Sequence, residues 1–187
     1  MKGRYILVIF VILALVSGCA KPPTEEMDSA RGAVFMATND PNAVQYAGST
    51  LSRARDSIRL MDAEADSKRY DTAKIYAQDA KSLAEKAIAD GKTGAARARD
   101  EAASALSSLR REIDDTSRNV EGARNSRLNL NYKELDSEIG HAYEVADQAQ
   151  DDQAQGRYLN VMNKTRSVRS DLFAINQKIS GAVTRRK

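Results

Sequence analysis

Two nucleophilic side chains stand near opposite ends of this 187-residue sequence. Cys19 is its only cysteine, so no internal disulfide can form, and the thiolate is the species that makes covalent bonds. Lys187 ends the sequence after Arg185-Arg186. An ε-amine at a flexible terminus is a nucleophile for covalent attachment, and its plainer role is a basic helix end facing the negative pole of the helix dipole. Between them the chemistry is sparse. His141 is the only histidine, which excludes a histidine-rich metal site, and its place between Ile139 and Ala142 reads as the flank of an apolar stripe. Asp114-Asp115 and Asp151-Asp152 are paired carboxylates, but adjacent helical residues point about 100° apart, so each pair reads as solvated or helix-end charge. Gly91-Lys92-Thr93-Gly94 contains a Gly-Lys-Thr triplet without the preceding glycine and strand of a phosphate loop. No calcium loop is present. Tyr46, Tyr70, Tyr76, Tyr132, Tyr143 and Tyr158 suit helix packing better than a sugar-stacking platform. The expectation is no catalytic residue, no metal and no cofactor, hence no enzyme.

Cys19 takes its meaning from what precedes it. Met1-Lys2-Gly3-Arg4 is a short basic start, and Tyr5 to Val16 is almost wholly apolar. That run is shorter than the roughly 20 residues a membrane-spanning helix needs, and it matches the pattern of a signal peptide. Val16-Ser17-Gly18-Cys19 resembles the bacterial lipobox, an aliphatic residue and two small residues before a cysteine. The resemblance implies a diacylglyceryl group on the Cys19 thiol, cleavage between Gly18 and Cys19, and acylation (palmitate or a similar chain) of the new amine. More than one acyl chain makes firm anchoring. Ala20 follows where an aspartate would resemble an inner-membrane retention signal, which favours the outer membrane and a periplasm-facing body.

Loss of residues 1–18 would remove Lys2 and Arg4 and lower the formal charge from +3 to +1. The sequence pI of about 9.0 therefore overstates how basic the working chain is. Charged residues are 29% of the whole and alternate in sign, aromatics are 5%, and tryptophan is absent. This excludes a basic nucleic-acid-binding face and indicates alanine-rich helices packed closely.

The body is written in heptads. Lys21-Pro22-Pro23 is a tether, Thr24 can cap a first helix, and Met27, Ala30, Val34 and Ala37 form its stripe. Asn39-Asp40-Pro41 breaks and restarts the chain, with Asp40 as cap and Pro41 at the first helical position. Val44, Ala47, Leu51, Ala54, Ile58, Met61 and Ala65 alternate steps of three and four, the mark of an amphipathic bundle helix. A turn at Ser67-Lys68-Arg69 precedes a third stripe of Tyr70, Ala73, Ala77, Ala80, Ala84 and Ala87. Beyond Gly91 and Gly94 the pattern resumes with Ala98, Ala102, Leu106, Leu109, Ile113, Thr116, Val120 and Ala123. A helix continuous from Tyr70 to Arg124 would be about 80 Å long at 1.5 Å per residue; a kink at the glycines is the competing reading. After a loop over 125–131, Asn131 with Glu134 approximates a capping box. Leu135, Ile139, Ala142, Ala146 and Ala149 mark a fourth helix. Val161, Thr165, Val168, Leu172, Ile175, Ile179 and Ala182 mark a fifth. No stretch alternates as a strand does. Arg69-Tyr70 recurs 88 residues on as Arg157-Tyr158, with Leu51 at Ile139 and Ala54 at Ala142, either from duplication or because hairpins of one period align by chance.

Pro23, Ala30, Ala33-Val34, Tyr46-Ala47, Leu51, Ala54-Arg55, Tyr70, Ala73, Ala77 and Ala80 resemble the exported bacterial family called domain of unknown function 4398, over about residues 23–87. The resemblance implies a three-helix unit and an envelope location, and no activity. The expected organisation is a lipoprotein signal peptide at 1–18, a lipidated tether at 19–24, a three-helix unit at 25–90, and a helical extension with a second hairpin at 91–187. The fold class is all-α, antiparallel hairpins or a bundle with long coiled-coil-like helices. The expected function is a lipid-anchored envelope scaffold or adaptor that partners the membrane and either another envelope protein or a second copy of itself. Phe35, Leu60, Tyr76 and Phe173, apolar but off the stripes, would mark the partner surface. The alternatives are a peptidoglycan tether through Lys187 and a binder of lipid or hydrophobic ligand.

Overall fold

The computed structural model describes residues 21–186. The fold is all-α: Thr24–Asn39 (α1), Pro41–Tyr46 (α2), Gly48–Asp66 (α3), Tyr70–Asn125 (α4), Tyr132–Ala154 (α5) and Tyr158–Arg186 (α6). The chain divides into two compact units, one ending at Gly94 and the other beginning at Ala95.

The first unit packs α1, α2 and α3 with α4 up to Gly94. Its core is mostly methyl groups. Ala30, Ala37, Ala54, Ala80, Ala84 and Ala87 are fully buried, and Met61 is the large side chain closed off with them. Short side chains at a contact let helix axes approach closely. Cross-helix pairs set the register. Arg31 on α1 reaches Asp62 on α3 (2.7 Å), Glu26 on α1 meets Lys74 on α4 (2.5 Å), and the buried Ser57 donates its hydroxyl to Asp79.

The second unit packs the remainder of α4 with α5 and α6 around larger residues. Leu109, Ile113, Leu135, Val161, Val168 and Ile175 are all buried. Arg169 on α6 pairs with Glu112 on α4 (3.0 Å), and Lys178 on α6 bridges Glu134 and Glu138 on α5 (2.9 and 2.8 Å). Asn176 donates to Thr116 (3.0 Å) and accepts from Asn119 (2.9 Å), a polar tie beside the core.

The structure decides several sequence expectations. α4 is unbroken from Tyr70 to Asn125, as the continuous reading has it and the kink does not, so Gly91 and Gly94 lie inside a helix. Their role is proximity. A Cβ at Gly91 would sit 2.6 Å from the amide nitrogen of Ala43, and one at Gly94 would sit 2.6 Å from Tyr46 Cβ. The second stripe also belongs to two helices. Ala47 (φ −128°, ψ 28°) separates α2 from α3, so α2 has its own phase, burying Ala43 and exposing Val44. Further along, Ser57 is buried where Ile58 was expected to lead, with Ile58 packed beside it. Thr24 is the first helical residue and not the cap, which falls at Pro23 without a side-chain bond. Asp40 does cap α2, accepting from Ala43 N (2.8 Å), and Asn131 caps α5, accepting from Glu134 N (3.4 Å).

Helices α3, α4 and α5 end alike. Residues Lys68, Arg127 and Gly156 have φ of 59°, 52° and 73°. In each case this residue and the next donate back to carbonyls of the last turn, as Lys68 to Ala65 O and Arg69 to Glu64 O (both 2.9 Å). This is the Schellman arrangement, whose left-handed position favours glycine. Lys68 adopts it with a side chain, at a cost of about 1 kcal/mol. Lys68→Gly is therefore expected to stabilise the first unit by about 1 kcal/mol in urea denaturation followed by circular dichroism, with Lys68→Ala near neutral. A loss of stability in the glycine variant would show that the Lys68 side chain holds the turn.

The two hairpins share one plan. Adding 88 to the buried positions 51, 54, 61, 73, 77, 80 and 84 gives 139, 142, 149, 161, 165, 168 and 172, which are also buried. The left-handed Lys68 maps to Gly156 in the same way. So does the ion pair of Arg69 with Glu64, which recurs as Arg157 with Asp152. A shared helical period explains the stripes, but not the matched turn and its matched salt bridge.

Candidate functional site

Gly18, Cys19 and Lys187 lie outside the described residues. The other residues singled out for their chemistry do not converge. His141 is exposed on α5, 3.7 Å from Glu144. Asp115 pairs with Arg118 one turn along α4, while Asp114 accepts the hydroxyl of Tyr143 from α5 (2.6 Å). That carboxylate disfavours the phenolate and pushes the Tyr143 pKa up. The Gly-Lys-Thr triplet is helical, and Thr93 donates its hydroxyl to Ala89 O (3.1 Å), so it forms no loop for a phosphate. Among the described residues no cluster of His, Cys, Asp and Glu could hold a metal ion. No helix among them is long and apolar enough to cross a membrane.

Asp152 departs from the solvated-charge expectation. It is buried where α5 turns into α6, between Lys164 Nζ (2.7 Å) and the Arg157 guanidinium (Nη2, 2.5 Å). Hydrogen bonds from Lys164 and then Arg157 hold its carboxyl below the usual aspartate range. Both oxygens are taken up within the fold, so the residue acts as a clamp on the turn. Its place three residues after Ala149, on the α5 stripe, is the signal that could have revealed its burial.

What remains reactive toward a partner is surface. Phe35 is 70% exposed on α1 and Ile75 63% exposed on α4 in the first unit, and Phe173 is 65% exposed on α6 in the second. Leu60 is less exposed, and Tyr76 packs against the first core and leaves the candidate surface. The second unit also carries a groove of about 640 Å³ lined by α4, the end of α5 and Tyr158. Arg99, Ser107, Arg110, Gln150 and Gln153 supply its polar side chains. Sequence reading passed over this groove. Its trace was the spacing of Arg99, Ala103, Leu106 and Arg110, steps of four, three and four along one helix face.

The geometry defines a class: an all-helical hairpin protein whose buried polar groups clamp helices together and whose surface exposes large apolar side chains, Phe35 and Met36 among them. Residues 25–103 match the model of a family described as Domain of unknown function (DUF4398). The chain thus resembles that family over its first unit and slightly beyond, to Ala103. No curated protein and no solved structure matches it.

Proposed function

We propose that the chain is a non-enzymatic lipoprotein of the bacterial envelope, anchored through acylated Cys19, that presents its helical units as a scaffold or adaptor for another envelope protein or a second copy. The observation that carries this reading is the exposure of Phe35, Ile75 and Phe173 on units whose cores are otherwise closed. Phe35 and its neighbour Met36 on α1 are 70% and 61% exposed, and adjacent large apolar side chains held in water mark a contact surface as scattered ones do not. The lipobox resemblance of Val16 to Cys19 supports the anchor, and Ala20 favours the outer membrane with the body facing the periplasm.

The test pairs mass spectrometry with crosslinking in the native host. A diacylglyceryl-modified, amino-acylated Cys19 peptide, with crosslinked adducts that disappear in a Phe35→Ser, Ile75→Ser, Phe173→Ser triple variant, is the expected result. A retained leader with an unmodified thiol would remove the anchor. Adducts unaffected by the triple variant would remove the partner surface. A muropeptide found on Lys187 after muramidase digestion would replace the adaptor reading with the covalent tether.

A further inference from the structure

We propose that the outer face of α6 pairs with the same face of a second copy of the chain, the two helices antiparallel about a two-fold axis between Ser170 and Phe173. This deepens the adaptor reading, on which it rests, by naming the partner. Positions 159, 163, 166, 170, 173, 177, 180 and 184 follow one another in steps of four and three, and all are exposed. They form a second stripe on the side of the helix away from the buried one. Leu159 and Phe173 on it are 54% and 65% exposed. In a chain that is 29% charged, Arg166 is the single charged residue of this stripe. Lys164, Arg169 and Lys178 turn aside to Asp152, Glu112 and Glu134. Depletion of charge around an aromatic residue marks the core of an interface better than apolar content alone.

The chain holds its own comparison. The positions 88 residues earlier lie on α4 in the first unit, where Asp71, Glu85 and Lys92 stand in place of Leu159, Phe173 and Ser180. That face has Ile75 as its one large apolar residue and otherwise the mixed charges of a solvated helix. The two helices share their buried positions, so the loss of charge is confined to the side that the second core leaves free. The hydroxyls there also suit burial. Ser180 donates to Gln177 O (3.1 Å) and Thr184 to Ser180 O (3.0 Å), so a covering helix strands neither donor.

The antiparallel register follows from the side chains. Setting Ser170 against Phe173 also sets Arg166 against Gln177, Asn163 against Ser180 and Leu159 against Thr184. Each phenyl ring then lies over a serine, and the Gln177 amide oxygen is placed to accept from Arg166. Parallel helices in register would instead set Arg166 against Arg166 and Ser170 against Ser170. The antiparallel contact is isologous and closes at two copies. The face is about 38 Å long and about 10 Å wide, roughly 800 Å² over both copies. That is small for a specific interface, so pairing is weak in free solution and is strengthened when both copies are anchored in one membrane.

The experiment co-expresses two differently tagged full-length chains in the native host, one Asn163→Cys and the other Ser180→Cys, and treats the envelopes with a short bismaleimide. The antiparallel pair brings 163 of one chain beside 180 of the other, while 163 and 163 lie about 25 Å apart along the axis. A mixed 163–180 adduct is expected, about tenfold or more above the 163–163 adduct, and about tenfold weaker when Phe173→Glu is added to both chains. Glutamate is the residue α4 carries at the equivalent position 85, so this variant keeps the helix, which circular dichroism verifies. Ile75→Glu, in the first unit, should leave the adduct unchanged. A 163–163 adduct as strong as the mixed one, no adduct at all, or a mixed adduct that survives Phe173→Glu overturns the pairing. Mass spectrometry of Cys19 from the same envelopes separates that failure from failure of the anchor. Acylated Cys19 without the mixed adduct overturns the pairing and leaves an adaptor for another protein. The mixed adduct with an unmodified Cys19 thiol upholds the pairing and removes the anchor.

Discussion

Gly91→Val should lower the stability of the first unit by about 2–3 kcal/mol, toward the top of the range for overpacking a well-fitted core. The cause is local and specific. A Cβ on residue 91 meets the Ala43 amide nitrogen at 2.6 Å, the Asn42 carbonyl carbon at 2.7 Å and the Ala43 Cα at 2.8 Å. All three are backbone atoms, so no rotamer change can relieve the clash, and the α1–α2 junction must move away from α4. Gly91→Ala isolates the competition. Alanine gains about 1 kcal/mol of helix propensity over glycine, and the clash exceeds that gain, leaving a net loss of about 1 kcal/mol. Gly32→Ala is the counterpart, because nothing lies within 4 Å of its added Cβ, and it should gain up to about 1 kcal/mol. Urea denaturation of the three variants, with amide exchange followed at Ala43, gives the comparison. A Gly91→Ala protein as stable as Gly32→Ala would mean that Asn42 and Ala43 are not seated against the glycine.

Leu109→Ala should cost the second unit about 3–4 kcal/mol, within the usual range for deleting a buried leucine side chain. Leu109 is wholly buried in a core with Ile113, Leu135 and Ile175. These side chains come from three helices, so the surroundings can collapse into the vacated space only by moving a helix as a body. The result should appear as a lower urea midpoint with an unchanged slope. It should also appear as a selective loss of amide protection beyond Ala95. A cost under about 1 kcal/mol would show that the three helices do not close around this position.

The two substitutions probe opposite parts of the fold, and the sequence disclosed those parts unequally. The stripes from Ala73 to Ala87, from Ala102 to Ala123, and through α5 and α6 were legible because a 3.6-residue period places steps of three and four on one face. Burial follows that face at Ala80, Leu109, Ala146 and Leu172. Val44 was misassigned because periodicity cannot register a change of phase, and Gly48, directly after the break at Ala47, was passed over as its signal. At Gly91 and Gly94 the sequence left a kink open beside the continuous helix, because local propensity records what a glycine costs a helix and not the neighbour that requires it. Lys68 and Arg127 occupy left-handed positions with none of the usual glycine signal. Asp152 looked solvated because an acid in the sequence does not announce the Lys164 and Arg157 that the turn folds over it. Of the candidate site, the exposed Phe35 and Phe173 were legible as apolar residues off the stripe. The arginine-lined groove was not, since it needs the end of α5 and Tyr158 brought beside α4.

The alanine core of the first unit also bears on its thermal behaviour. Heat capacity rises on unfolding in proportion to the apolar surface newly wetted, typically about 12–15 cal/mol/K per residue. A core in which Ala30, Ala37, Ala54, Ala80, Ala84 and Ala87 do most of the packing hides little such surface for each residue it orders. Its free-energy curve against temperature is correspondingly shallow, so the helices lose stability slowly on warming and on cooling alike.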